Sequence, residues 1–297
     1  MNKRLLFVFN PNSGKQALKS NLFDIIDIFT KGGYEVTVYP TQAPDEAYNI
    51  IKEKAAEFDT VVVSGGDGTL NEGVRGILSL PQDLKKAIGY IPTGTTNDFA
   101  HSRGLSMNML EAAKNIVSGK TFEGDVGIFN ESKCFNYVAA CGAFTDVSYD
   151  TPQNYKNMFG HMAYLFEGIK RLTNLETHHI HLTCEQAEIE DDFFLVIVMN
   201  STRMAGVKLD SVIDVDLADG LFEIILVKRP VNIMQIYEVF DAVINGREDA
   251  STFKLIRTSK AQIEFLDEIK WTLDGEYGGT HKKVSIEVAQ GAMKYIG

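Results

Sequence analysis

Gly65, Gly66, Asp67, Gly68 and Thr69 enclose one carboxylate in a run of glycines. Glycines let backbone N–H groups approach a phosphate closely, and a helix that starts beside them adds the positive end of its dipole. A carboxylate there would by itself repel the anion. Asp67 therefore suits holding Mg2+ or orienting a proton donor. Three further stretches have anion-binding composition. They are Asn10, Pro11, Asn12, Ser13 and Gly14; Thr41, just after Pro40; and Gly94, Thr95, Thr96, Asn97 and Asp98. The first is not a Walker A loop, which needs the Gly-x4-Gly-Lys-Ser/Thr spacing.

These stretches need elements to position them. Residues 61–64 are small or β-branched and read as a short buried parallel strand, with a helix restarting over 70–78. Upstream, the pattern predicts strands over 5–9 and 35–39 and helices over 18–30 and 45–57. Leu22, Ile25, Ile26 and Phe29 give the first helix an apolar face, and Gly32 and Gly33 stop it. A strand over 87–91 and a helix over 109–118 follow. Strands alternating with helices predict a doubly wound parallel sheet, which binds ligands beyond the carboxyl ends of its strands. All four stretches fall at such ends.

Beyond Gly124 the pattern changes. Residues 125–129 and 134–139 read as a hairpin around a turn at 130–133, and 158–175 as a long amphipathic helix. Strands are expected over 180–185, 193–200, 221–227, 261–265, 270–273 and 284–288, with a helix near 231–244. The fold class is thus α/β in two domains. Residues 1–123 form a doubly wound α/β domain, to which a tail at 289–297 returns, and 124–288 an antiparallel, β-sandwich-like domain.

The 297 residues carry a net charge of −11, which argues against a nucleic-acid coat or a strongly basic membrane-binding surface. Cys134, Cys141 and Cys184 make no CxxC and read as reduced core residues of a cytoplasmic protein. No apolar run approaches the roughly 18 residues of a membrane span, so any lipid must be reached from the surface. His178, His179 and His181 tempt a metal reading, yet no carboxylate partner is evident, and a solvated strand start is expected. Asp98 reads as a cap of the helix after it or as a group facing the phosphates, and the two roles can coexist.

The ordered set Asn10-Pro11-x-Ser13-Gly14, Gly65-Gly66-Asp67-Gly68-Thr69-Leu70-Asn71-Glu72 and Pro92-x-Gly94-Thr95-x-Asn97-Asp98-Phe99-Ala100 resembles the diacylglycerol kinase catalytic domain. The bacterial soluble lipid kinases are the group it is most similar to. Asp219-Gly220-Leu221-Phe222-Glu223 and Leu273-Asp274-Gly275-Glu276 extend the resemblance along the whole chain. One departure is His101, where family members often carry Arg; Arg103 lies two places on.

The resemblance implies a nucleotide-binding first domain and a cleft between two domains in which ATP and Mg2+ serve phosphorylation of a lipid hydroxyl. Asn10, Pro11, Asn12, Ser13, Gly14, Thr41, Gly66, Asp67, Gly68, Thr69, Leu70, Asn71, Glu72 and Thr95 would contact ATP, with Asn97 and Asp98 in the same loop set. Glu276 would accept the proton of the lipid hydroxyl, and Asp67 would lie beside it and help place Mg2+–ATP. Asp219, with the backbone carbonyls of Asp216 and Leu221, would hold a second, structural Mg2+, linked through water to Asp125. An alcohol is a poor nucleophile at neutral pH, so one carboxylate must help remove its proton. Sequence leaves open whether that is Glu276 or Asp67.

The leading expectation is therefore an ATP-dependent lipid kinase acting on diacylglycerol or a related lipid alcohol. It would be cytoplasmic, touching the inner face of the membrane transiently, with a homodimer possible. An NAD kinase shares the glycine motif, and a non-catalytic nucleotide- or lipid-binding regulator would share the shape. The presence of both Asp67 and Glu276 weighs against the regulator.

Overall fold

The computed structural model describes residues 3–14, 18–142, 176–201, 203–204, 207–208, 217–229, 235, 249–250 and 253–297. Asp216, the helix expected at 158–175 and, apart from Gln235, the one expected at 231–244 lie outside them. The chain divides into two compact units, Met1–Asp125 with Gly291–Gly297, and Val126–Gln290.

In the first unit strands and helices alternate. They are β1 (Lys3–Phe9), α1 (Leu18–Lys31), β2 (Tyr34–Pro40), α2 (Glu46–Lys54), β3 (Thr60–Gly65), α3 (Asp67–Leu78), β4 (Ile88–Pro92), α4 (Asp98–Ser102) and α5 (Met109–Ser118). The strands are parallel in the order β2-β1-β3-β4, with Leu5 opposite Thr60 and Val61 opposite Ile88. The order reverses direction between β1 and β3, and such a switch point opens a crevice at the strand ends. Leu5, Phe7 and Val62 pack against Ile25 and Phe29 of α1 and Ile116 of α5, all removed from solvent. Burying each such side chain contributes about 1.5–3 kcal/mol. Asn108 caps α5 by accepting the N–H groups of Leu110 and Glu111, and Gly119, at φ 72°, ends it.

The second unit is antiparallel. Strand β5 (Thr121–Phe129) runs into it and pairs with β6 (Lys133–Phe135). Then come β7 (Val138–Gly142), β8 (His178–Cys184), β9 (Glu188–Phe193), β10 (Leu195–Met199), the short pair β11 (Arg203–Met204) and β12 (Val207–Lys208), and β13 (Phe222–Val227). The last are β14 (Asp249–Ala250), β15 (Phe253–Thr258), β16 (Lys260–Leu273) and β17 (Glu276–Ile296). The ladder runs β14-β15-β13-β10-β7-β16-β17, and β8 joins β16 on one side and β9 on the other. Trp271, Phe129, Phe135 and Phe222 anchor its core. The end of β17 leaves this unit, and Tyr295 and Ile296 pair with Ile88 and Gly89 of β4 in the first.

Several expected boundaries shift for physical reasons. Helix α3 begins at Asp67 rather than residue 70, because Gly68 takes helical geometry and only the extended Gly66 stays outside as the cap. The expected 45–57 helix stops at Lys54 and tightens into a 3-10 turn over Ala55–Glu57. The strand expected over 134–139 breaks after Phe135 and resumes at Val138, because 136 and 137 bend around a buried carboxylate described below. The strand expected over 193–200 is two strands meeting at Phe194, whose N–H donates to the Val227 carbonyl at 3.0 Å. The strands expected over 261–265 and 270–273 are one, bulged between Glu264 and Ile269, where it changes partner from β8 to β7. Cys134, Cys141 and Cys184 are free thiols, and burial pushes Cys141 up.

Candidate active site

In the first unit the four strand ends converge. The Gly65 carbonyl, ending β3, accepts the N–H groups of Thr93 and Gly94, after β4, at 2.8 and 3.2 Å. Asn10, after β1, donates its N–H to Ser64 at 2.9 Å, and Thr41, after β2, donates to Phe9 at 2.8 Å. Asn10 Oδ1 accepts the N–H of Asn12 at 2.9 Å, and Ser13 Oγ meets Thr93 Oγ1 at 2.6 Å. Such close backbone approach needs glycine. Gly14 sits at φ +50°, and a Cβ there would lie 1.6 Å from the Thr93 carbonyl oxygen. A Cβ on Gly94 would lie 2.6 Å from Gly66 Cα. Pro11, Gly66, Gly68 and Asn71 are half-buried along this rim, and Asn12 and Thr95 are exposed on it.

Asp67 is the first residue of α3, so its carboxylate sits at the positive end of that helix. Its oxygens accept the N–H groups of Asp98 and Phe99 at 3.2 and 3.3 Å, which makes Asp67 the cap of α4 as well. Asp98, read as a cap of this helix, a phosphate-facing group or both, is its buried first residue, and the cap oxygens come from Asp67. Asn97 holds the preceding turn at φ 50°, its Oδ1 accepting from Gly94 N and its Nδ2 donating to Gly94 O, both at 2.9 Å. The Tyr90 hydroxyl, unremarked in the sequence, donates to Gly65 O at 3.1 Å and to Asn97 Oδ1 at 3.3 Å. Burial, and then Asp67, push that phenol well up, so it stays a neutral donor.

The remaining residues of the set divide into lining and support. Thr69 packs over Gly65. The side chain of Leu70 is fully buried and its N–H donates to Gly66 O at 3.1 Å, so it builds the helix start. Glu72 accepts the N–H groups of Asp45 and Ala47 at 2.9 and 3.0 Å and so caps α2, which follows Thr41. Burial raises the Glu72 carboxyl, an effect those two N–H groups reduce. The first-turn N–H groups of α3 have no carbonyl partner within their helix, and they stand at the edge where four loops meet. Backbone N–H groups arranged in this way suit phosphate oxygens.

Asp125, also in the first unit, is buried and accepts the Gly291 N–H at 2.8 Å. The other expected site residues belong to the second unit. Glu276 is exposed at the first position of β17, opposite Leu273. Between them Asp274 and Gly275 take φ 50° and 85°, the geometry of a two-residue type I′ turn. Asp274 is not the solvated turn residue that an Asp-Gly pair suggests. It is buried, and its carboxylate accepts four hydrogen bonds.

Asp219 Oδ1 accepts the Leu221 N–H at 2.9 Å, ahead of β13. Two residues further on, Glu223 is buried, and its Oε2 has no hydrogen-bond partner among the described residues. Arg257 Nε lies 3.6 Å from Glu223 Oε1, yet burial, together with Asp219, holds the Glu223 carboxyl at about 7. Among the described residues no three acidic, imidazole or thiol groups converge as a metal cluster. Asp219 and Glu223, the latter with one buried oxygen unpartnered among the described residues, suit a cation, and Asp219 with the Leu221 carbonyl would be its donors there.

One expectation is overturned. His179 has carboxylate partners, Asp192 at 2.9 Å and Glu190 at 3.3 Å, and His181 has Glu188 at 2.9 Å. They come from β9, a strand whose acidic sequence hid it. The histidines are nonetheless partly solvated, as expected for the outer face of a strand pair.

Comparison with known proteins covers both units. Residues 4–129 match the diacylglycerol kinase catalytic domain, and residues 141–297 match the YegS C-terminal NAD kinase beta sandwich-like domain. The diacylglycerol kinase of Bacillus subtilis (strain 168) is 31% identical over 281 residues, covering 93% of this chain and 91% of that protein. The diacylglycerol kinase of Staphylococcus carnosus (strain TM300) is 31% identical over 283 residues, covering 94% and 90%. A crystal structure of a diacylglycerol kinase from Bacillus anthracis str. Sterne shares the fold, with a TM-score of 0.76 at 24% identity over 99% of this chain and 97% of that one. Another structure from the same organism reaches a TM-score of 0.83 at 25% identity and the same coverage. Matched over both units and along nearly the full length of such relatives, the chain belongs to the diacylglycerol kinase family and is a lipid kinase.

Proposed function

We propose that the protein transfers the γ-phosphoryl group of ATP to the hydroxyl of diacylglycerol, or of a closely related lipid alcohol, at a membrane surface. The observation that carries the donor half is the convergence of four strand-end loops around the start of α3. The acceptor half rests on the relatives named diacylglycerol kinase. In the transfer, the lipid hydroxyl gives its proton to a carboxylate and its oxygen bonds to the γ-phosphorus. The bond from that phosphorus to the β–γ bridging oxygen breaks, and ADP leaves. We assign proton acceptance to Glu276, which a rigid turn presents to solvent, and placement of the nucleotide to Asp67. Mg2+ would supply charge neutralisation at the phosphates. No helix among the described residues is long and apolar enough to cross a membrane, so contact with lipid would be peripheral. Tyr277, next to Glu276 and more than half exposed, offers an amphipathic side chain for it.

The test is transfer of labelled phosphate from γ-labelled ATP to diacylglycerol in mixed micelles with Mg2+, run beside phosphatidylglycerol and NAD. Label on diacylglycerol, lost in Asp67→Ala, is the expected result. Label on NAD alone would move the chain to the soluble kinases that share its glycine motif.

A further inference from the structure

The turn that presents Glu276 is anchored at one point. Asp274 Oδ2 accepts the backbone N–H of Asn136 at 2.7 Å and its side-chain Nδ2 at 3.1 Å. Asp274 Oδ1 accepts the N–H groups of Tyr137 and Val138 at 3.0 and 3.1 Å. The Asp274 N–H in turn donates to Val138 O at 2.8 Å. Asp274 is 4% exposed and sits in the left-handed region, at φ 50°. A plain hairpin turn needs none of this. Asn-Gly would satisfy a type I′ turn as well as Asp-Gly, with the first side chain in water. Here a carboxylate is taken out of water and matched to four N–H donors from one short segment. That arrangement suits an anion and cannot be reproduced by an amide, because an amide turns one of the two acceptor oxygens into a donor.

We propose that Asp274 is a positioning residue for phosphoryl transfer: by clamping residues 136–138 it fixes the height and direction in which Glu276 leaves the turn. The proposal rests on the reading of Glu276 as the group that takes the proton. Glu276 has only Gly275 between it and the clamp, so loss of the clamp reaches its backbone directly. A displacement of about 1 Å of a reacting group can cost on the order of 10²-fold in rate.

The test is Asp274→Asn, which keeps the turn chemistry and removes the matched acceptor, measured beside Glu276→Gln and the double variant. Asp274→Asn is expected to lower kcat by about ten- to a hundred-fold at a temperature where circular dichroism shows the variant folded. KM for ATP should stay put, and the pH at which kcat falls on the acid side should move. In the Glu276→Gln background the same change should have little further effect. Unchanged kcat in Asp274→Asn, with Glu276→Gln strongly impaired, would overturn the clamp and leave the reading of Glu276 intact. Full activity in Glu276→Gln would instead remove that reading. If Asp274→Asn has no cooperative melt, Asn136→Ala is read in its place. It deletes one donor of four and should lower kcat several-fold with KM for ATP unchanged; unaltered kcat there also overturns the proposal.

Discussion

The carboxylate of Asp67, at the start of α3, accepts the N–H of Asp98, at the start of α4, at 3.2 Å. One side chain thus ties together two helix starts from two of the strand-end loops. Asp67→Ala should therefore do two things. Loss of the cap should cost about 1 kcal/mol of stability. Transfer should fall by about 10²-fold or more, because the nucleotide is no longer placed. Thermal melts and the labelled-phosphate assay separate the two effects, and normal turnover at normal stability would take Asp67 out of the chemistry.

Glu276→Gln should behave differently. The side chain is exposed, so stability should change by less than about 0.5 kcal/mol. Activity should drop by about 10²- to 10⁴-fold, the usual worth of a positioned general base. A melt that moves as far as the activity does would instead mark Glu276 as structural.

Gly14→Ala tests the loop convergence. The new methyl group would have to occupy the Thr93 carbonyl, at a backbone angle that alanine disfavours. We expect a loss of more than about 1 kcal/mol in stability together with weakened ATP binding by calorimetry. Wild-type affinity in this variant would mean that the contact between the two loops is irrelevant to the nucleotide.

If Asp219 holds a structural cation, chelation should lower the melting temperature of the wild-type protein and leave Asp219→Ala unmoved. Equal responses of the two proteins to chelator would reduce the Asp219 turn to the bond it makes with the Leu221 N–H.

The hydrogen bond that Asp192 accepts from His179, and then the one that Glu190 accepts, raises the His179 imidazole above its ordinary 6.5. A raised folded-state value means the fold favours the protonated ring. That stabilisation is complete below about 6.5 and disappears as pH rises through the higher folded value. Proton NMR titration should place His179 above 6.5, and Asp192→Asn should bring it down. No change on that substitution would mean the 2.9 Å contact is not made in solution.

The placing of the candidate loops at strand ends could be read in advance because its signals are local. A β-branched run, a glycine and a polar side chain at each strand end suffice to say where backbone would come close to an anion. What joins those loops was not legible. Asp67 meets Asp98 across 31 residues, and Ser13 meets Thr93 across 80. In the second unit, Glu188–Phe193 carries acids that face solvent, and only Ile189 and Phe193 point to a strand. Phe253–Thr258 was missed for want of a clean alternation, since most of it is half-buried. Asp274 was correctly placed in a turn, but its burial depends on residues 136–138, which nothing in Leu-Asp-Gly-Glu announces.

Tyr295 and Ile296, among the last residues of the chain, add to the edge of β4, and Tyr295 stacks on Phe122 and packs against Phe99 just after Asp98. These residues are distant in sequence from the strand-end loops that share their unit. The first unit is therefore discontinuous, with the whole of Val126–Gln290 inserted between its two parts. A fragment ending at Asp125 lacks a piece of its own core, namely the buried Met293, Tyr295 and Ile296. Excising the second unit would thus cut the first in two, and the two units cannot be separated by a single cut in the chain.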